Sequence, residues 1–320
     1  MNHPRIVYMG TPDFAVHPLR RLLEEGRRVV GVVTNPDKPA GRGQRPRESP
    51  VKRFAAERGL PVLQPERFRD KAFIEALEAW RADLQIVVAF KMLPEIVWAM
   101  PPLGTVNLHA SLLPDYRGAA PVNRVLMNGE KHTGVTTFLL RQEIDAGNLI
   151  FQEQVDVDDK TTAGELHDRL ARVGSELLLK TVDAIAAGDY PLIDQSTLLQ
   201  GRSPKLAPKI FKEEMKIDWR RDGLSIHNHV RGLSPSPAAW TALRHLRTGE
   251  LLSLKIFSAE WQPAEHHLPA GALRPTPDAL LVHLPDGVLR VTDLQLSGKK
   301  RMSAGEFLRG FPVDQYTLEE

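Results

Sequence analysis

Over its first 110 residues the chain alternates between short β-branched or apolar runs, at 5–9, 29–34, 61–63, 84–90 and 105–109, and helical patterns, at about 14–25, 50–58, 70–80 and 94–99. Strands that are each separated by a crossover helix pair in parallel, so this order predicts an α/β fold with a mostly parallel, Rossmann-like sheet covered on both faces. Sheets of that kind place their sites in loops at the carboxyl ends of the strands.

The strand at 105–109 brings chemistry to such an end. Side chains two apart on a strand share a face, so Asn107 and His109 project together while Val106 and Leu108 pack behind them. The chain then turns through Ser111-Leu112-Leu113-Pro114, and Arg117-Gly118-Ala119-Ala120-Pro121 opens the next helix. Gly134-Val135-Thr136 begins a later strand at 134–140. Asp145 sits in the turn Ile144-Asp145-Ala146-Gly147, before a strand at 148–157 and a long helix from about Thr162 to Ala187. An amide donor beside an imidazole, with a carboxylate from another loop, suits transfer of an acyl group to an amine. Each group has a plainer reading when taken alone: a satisfied polar side chain at a strand end, or a carboxylate capping its own turn.

With 320 residues, 42% of them hydrophobic and 26% charged, the chain is long enough for two domains. A net charge of +2 neither demands nor excludes a nucleic-acid partner. The absence of cysteine excludes disulfides and thiolate chemistry and fits a reducing cytoplasm. A first strand near Arg5 leaves no room for a signal peptide, and apolar runs such as Leu84–Phe90 are too short to span a bilayer. After Gly188 the texture changes. Residues 1–189 read as a catalytic domain, 190–216 as a basic linker, and 217–320 as a second domain. In that last part a short helix at 223–232 precedes strand-like runs at 240–246, 251–261, 279–284 and 287–296, which predicts a small β-barrel.

No metal is expected. His227 and His229 stand two apart in a helical stretch and so face differently. Asp156-Val157-Asp158-Asp159 lacks the glycine and distal glutamate of a calcium loop. Gly10 follows a strand without the further glycines of a dinucleotide fingerprint, which argues against a nicotinamide cofactor.

Several stretches resemble the folate-dependent formyltransferases: Gly10-Thr11-Pro12-Asp13-Phe14-Ala15, Pro36 to Gly43, Asn107 to Pro121, Ile217-Asp218-Trp219 and Gly298-Lys299-Lys300. The resemblance covers nearly the whole chain, and the Asn107–Pro121 segment is its most specific part. It implies a formyltransferase fold in residues 1 to about 189 followed by an OB-like β-barrel, 10-formyltetrahydrofolate as donor, and the α-amino group of methionine on initiator tRNA as acceptor. It further implies catalytic roles for Asn107, His109 and Asp145, a folate cleft lined by Ser111, Leu112, Leu113 and Pro114, and tRNA contacts from Lys38, Arg42 and Lys209. The chain is expected to act as a monomer. Basic clusters at Arg42, Arg45, Arg47, Lys52 and Arg53, at Lys205, Lys209 and Lys212, and at Lys299-Lys300-Arg301 would suit the phosphates of an acceptor arm.

The chain departs from the family pattern twice. Ala89-Phe90-Lys91-Met92-Leu93-Pro94 stands where a Tyr-Gly pair and one more residue are commoner, and Ser234-Pro235-Ser236-Pro237 lacks a tryptophan. Three rival readings remain at this level: transfer to an amino-sugar nucleotide, transfer to glycinamide ribonucleotide, and a catalytically silent RNA-binding protein.

Overall fold

The computed structural model describes residues 3–40 and 45–319. Its first nine strands are β1 Ile6–Gly10, β2 Val29–Val33, β3 Lys38–Ala40, β4 Arg45–Arg47, β5 Val62–Leu63, β6 Leu84–Val88, β7 Thr105–His109, β8 His132–Leu139 and β9 Leu149–Asp156. All but the separate β3–β4 pair join one sheet of order β5-β2-β1-β6-β7-β8-β9. Pairing is parallel from β5 to β7 and antiparallel at β8 and β9.

Strand order reverses between β1 and β6, and at such a switch point the carboxyl ends of the strands open a crevice. Gly10 closes β1 there. A Cβ on it would lie 2.6 Å from the Ala15 Cβ and 3.1 Å from the Val88 carbonyl, so the turn requires glycine. Val7, Met9, Val33 and Val87 form one buried face of the sheet, packed against Phe73, Ile74 and Leu77 of the helix Lys71–Ala79. On β7, Leu108 meets the helix Ala163–Ala187 at Gly174, whose missing Cβ would be 3.0 Å from Leu108 Cδ2. Alternation therefore turns Asn107 and His109 to the opposite face.

The second sheet contains β10 Ala239–His245, β11 Leu251–Pro263, β12 Leu273–Pro275, β13 Leu280–Leu284, β14 Gly287–Leu296, β15 Met302–Ser303 and β16 Tyr316–Leu318. Its order is β12-β13-β14-β11-β10-β16, with β15 on β14, and every pairing is antiparallel. The long β11 changes register against β14 around Ser258, a bulge that bends a strand and curls its sheet. Leu280, Val282, Leu284, Leu289, Val291 and Leu294 alternate inward into one core, giving the barrel-like sheet expected of an OB-like domain.

Two compact units share the chain in interleaved pieces. One comprises Met1–Gly118, His132–Asp156 and His167–Ala207; the other comprises Ala119–Lys131, Val157–Leu166 and Pro208–Glu320. Within the second unit, the helix Pro121–Met127 lies against the helix Gly223–Leu233, where a Cβ on Gly232 would stand 2.7 Å from Met127 Cγ and the Asn123 amide donates to the Gly232 carbonyl at 2.7 Å. The buried Arg231 guanidinium donates to the carbonyls of Asp158 and Thr161, tying in residues 158–161. Within the first unit, the segment from Tyr190 to Ala207 is laid down as structure. Ile193 exchanges backbone hydrogen bonds with Leu149, Gln195–Leu199 is helical, and the Ala207 N–H donates to the Arg117 carbonyl at 2.8 Å.

Candidate active site

His109 ends β7 nearly buried, and its Nε2 lies 2.9 Å from the backbone carbonyl of Tyr116. A carbonyl only accepts, so Nε2 carries the proton and, in the neutral ring, Nδ1 keeps its lone pair. Nδ1 points toward the Asp145 carboxylate, with Oδ2 at 3.8 Å. That is beyond hydrogen-bond reach, as expected of a lone pair facing an anion without a proton between them. A proton arriving at Nδ1 finds the carboxylate already in place.

Asp145 adopts a left-handed backbone, φ +51, a conformation that Asp and Asn tolerate better than most residues. Its Oδ2 accepts the Gly118 N–H at 3.0 Å. Gly118 has φ +123, which accounts for the glycine in the Arg117–Pro121 segment. Gly147 is required for space, because a Cβ there would fall 1.6 Å from the Leu139 carbonyl oxygen.

The turn after β7 is held from several sides. The Ser111 hydroxyl donates to the Asp115 carbonyl at 2.7 Å. The Tyr116 N–H donates to the Lys205 carbonyl at 2.6 Å, which helps aim the Tyr116 carbonyl at His109. Both Asp115 carboxylate oxygens accept from the Arg202 guanidinium at 2.7 Å, and Oδ1 also takes the Lys205 N–H. Burial pushes the Asp115 carboxyl up, but the Arg202 fork and the Lys205 amide outweigh it and hold the group below the usual carboxylate range.

Thr136 explains the Gly134-Val135-Thr136 stretch. Its Oγ1 donates to the Ser111 carbonyl at 2.6 Å and accepts from the Leu113 N–H at 3.1 Å, while the Gln152 amide donates to the Leu113 carbonyl at 2.8 Å. A Cβ on Gly134 would lie 2.1 Å from the Glu153 carbonyl oxygen and 2.6 Å from Leu112, so this crossing also needs glycine. Of the four residues assigned to the folate cleft, Ser111, Leu113 and Pro114 are buried and Leu112 is half-buried. Leu113 packs with Phe138 and Leu149.

Asn107 is half-buried, and among the described residues its side chain takes no hydrogen bond. Its backbone is paired on both sides, with Val87 and Phe138, so its amide is presented from a fixed strand. A fixed amide, an imidazole with a free lone pair and a carboxylate behind it can stabilise an oxyanion and move a proton.

The residues expected to meet tRNA are placed less completely. Arg42 lies outside the described residues, and Lys38 is placed through its backbone in β3, paired with Arg47. Lys209, in the second unit, is exposed, with Nζ 5.5 Å from the Phe211 ring centre. Two members of the basic clusters are committed within the fold: Lys52 to Asp37 and Glu48, and Arg301 to Asp293. Among the described residues no group of three or more His, Asp or Glu side chains is arranged to hold a metal. His227 and His229 instead face backbone carbonyls of Ala259, Asp159 and Met215.

Sequence reasoning did not reach the Tyr116 carbonyl or Gln195. The Gln195 amide donates to the carbonyls of Asp145 and Gly147, both at 2.8 Å, from a segment read as linker. Neither has a signature in spacing or residue type.

Residues 4–182 match the formyl transferase family and residues 209–312 its C-terminal domain; the chain belongs to that family. Among its curated relatives, the methionyl-tRNA formyltransferase of Bacteroides thetaiotaomicron is 52% identical over 98% of this chain and 98% of its own length. That of Bacteroides fragilis is 51% identical over 97% and 96%. Two solved structures share the fold at lower identity. The sugar 3N-formyl transferase WlaRD superimposes with a TM-score of 0.65 at 18% identity, covering 94% of this chain and 100% of that one. HypX from Aquifex aeolicus gives 0.65 at 19% identity, covering 97% of this chain, which spans about half (48%) of HypX.

Proposed function

We propose that this chain transfers the formyl group of 10-formyltetrahydrofolate to the α-amino nitrogen of initiator methionyl-tRNA, the step that prepares this tRNA for translation initiation. The observation that carries the reading is identity of 51–52% to methionyl-tRNA formyltransferases along almost their full length. The sugar formyl transferase named above shares 18%, which supports the fold alone.

The geometry supports a direct acyl transfer. The acceptor must attack as a free amine, and an α-amino group with a pKa of about 7.7–8.0 needs only modest help to be neutral. Attack forms the new N–C bond and places negative charge on the former formyl oxygen. Asn107 donates to that oxygen; one such donor is typically worth about 2.7–4 kcal/mol at a transition state. His109 takes the surplus amine proton at Nδ1, where Asp145 stabilises the resulting imidazolium. The proton then passes to N10 of the folate as the N10–C bond breaks, releasing tetrahydrofolate and N-formylated methionyl-tRNA.

The turn Ser111–Pro114 forms one wall of the folate cleft through its backbone and Leu112. Lys38, Arg42 and Lys209 meet tRNA phosphates, contacts that give affinity without reading sequence. In this reading the unit that holds Asn107, His109 and Asp145 carries the chemistry and the unit built on residues 208–320 holds the tRNA, with the protein working as a cytoplasmic monomer. Among the described residues no helix is long and apolar enough to cross a membrane.

One assay tests the reading: labelled formyl donor offered with methionyl-tRNA, with an amino-sugar nucleotide and with glycinamide ribonucleotide. Label is expected on the tRNA alone. Label on either small acceptor instead would overturn the assignment, and tRNA binding with no label transferred would make the chain a silent RNA-binding protein.

A further inference from the structure

We infer that Gln195 is a positioning residue for Asp145, setting where the carboxylate stands relative to His109. The inference rests on the reading above that Asp145 and His109 move the proton. Gln195 is 2% exposed and uses its whole amide. Nε2 donates to the Asp145 carbonyl and to the Gly147 carbonyl, each at 2.8 Å. Oε1 accepts from Arg117 Nε at 3.0 Å and from Nη2 at 2.6 Å.

This pattern has one orientation. Flipping the amide would set Oε1 against two carbonyl oxygens and the NH2 group against two guanidinium N–H groups, and each contact would change from attractive to repulsive. Gln195 therefore reads the loop and the Arg117 turn at once. It grips the backbone on either side of Ala146, while Gly118, next to Arg117, holds the Asp145 carboxylate through its N–H at 3.0 Å. Backbone and carboxylate of Asp145 are thus tied to one rigid unit, Gln195–Arg117–Gly118.

The loop needs such a tie. Asp145 is left-handed at φ +51, a backbone state that a non-glycine residue keeps where surrounding contacts impose it. Without the Gln195 donors the Asp145 and Gly147 carbonyls lose both anchors. The carboxylate would then sample positions farther from His109 Nδ1 than the observed 3.8 Å.

The test is a double-mutant cycle on formyl transfer to methionyl-tRNA, using the full-length protein. Gln195→Ala is expected to lower kcat about 10–100-fold, the usual range for a residue that orients a functional group, with KM for both substrates within about twofold. Gln195→Glu keeps the shape but turns an anionic oxygen on two carbonyls, so it should be as slow as Gln195→Ala. In an Asp145→Ala background either change should cost less than about twofold, because the group it positions is gone. Should Gln195→Ala fail to fold, Gln195→Met, which preserves length and bulk, takes its place in the cycle.

Wild-type kcat in folded Gln195→Glu, or losses that multiply fully with that of Asp145→Ala, would overturn the inference. A fall in thermal stability with unchanged kcat per folded molecule would also overturn it and make Gln195 purely structural. If the wild-type protein transfers no formyl group to methionyl-tRNA, the functional reading fails, a result distinct from any of these.

Discussion

His109 and Asp145 stand 3.8 Å apart, nitrogen to oxygen, while the other imidazole nitrogen is held on the Tyr116 carbonyl at 2.9 Å. The second contact decides the meaning of the first. Because Nε2 must donate, the nitrogen facing the carboxylate is the one without a proton. The pair gains attraction only when His109 takes a proton, which is the property a base needs. Removing either partner should therefore act on the rate. His109→Ala and Asp145→Ala are each expected to lower kcat by roughly 10²–10⁴-fold, the range for general acid–base groups. Steady-state formylation of methionyl-tRNA measures this, and near-normal turnover in either variant would remove that residue from the proton path.

Asn107 offers a cleaner separation of chemistry from folding, since its side chain takes no hydrogen bond among the described residues. Asn107→Ala is expected to reduce kcat about 10²–10³-fold, as loss of one oxyanion donor does. Its thermal midpoint should stay within a degree or two of wild type. A large drop in stability with kcat per folded molecule preserved would make Asn107 a structural residue.

Thr136 should show the reverse pattern. Thr136→Val keeps the shape but leaves the buried Ser111 carbonyl and Leu113 N–H without their partner. Buried polar groups left unsatisfied cost about 1–3 kcal/mol, to be read from denaturant unfolding. An unchanged midpoint would mean that another group replaces the hydroxyl.

The ion pair of Asp115 with Arg202 gives a pH-dependent prediction. Despite the opposing effect of burial, the Arg202 fork and the Lys205 N–H hold the folded carboxyl below its unfolded pKa. Its stabilisation is therefore present above the unfolded pKa and lost as pH falls through the folded one. Arg202 is half exposed, so solvent screens the pair and its contribution is small. The stability difference between wild type and Asp115→Asn should be constant near neutral pH and shrink as pH falls below the unfolded carboxylate pKa of about 3.9. A difference that does not change with pH would show that the carboxylate's charge is not what matters there.

Much of the fold was legible because it is encoded locally. The strand runs before residue 110 appear as β1, β2, β5, β6 and β7, displaced by no more than two residues at either end. Gly10, Gly134 and Gly147 stood out as motif letters, and each proves to be a point where a Cβ would strike a neighbour. Cutting the chain into consecutive blocks missed the interleaving of the units. Residues 119–131 pack with the helix Gly223–Leu233, and only the apolar face of the distant partner decides where a short amphipathic helix goes. Residues 190–207 lack periodicity because backbone hydrogen bonds to Leu149 and Arg117 hold them, rather than an apolar stripe.

The one-dimensional chain determined the parallel sheet and placed Asn107 beside His109, because a period of two makes neighbours on a strand face predictable from spacing alone. Only the tertiary structure decided which histidine nitrogen faces Asp145, how far away the carboxylate stands, and that Gln195 and Arg117 hold it there. These depend on main-chain carbonyls and N–H groups, which every residue carries alike. No residue type marks which of them will meet until the chain has closed.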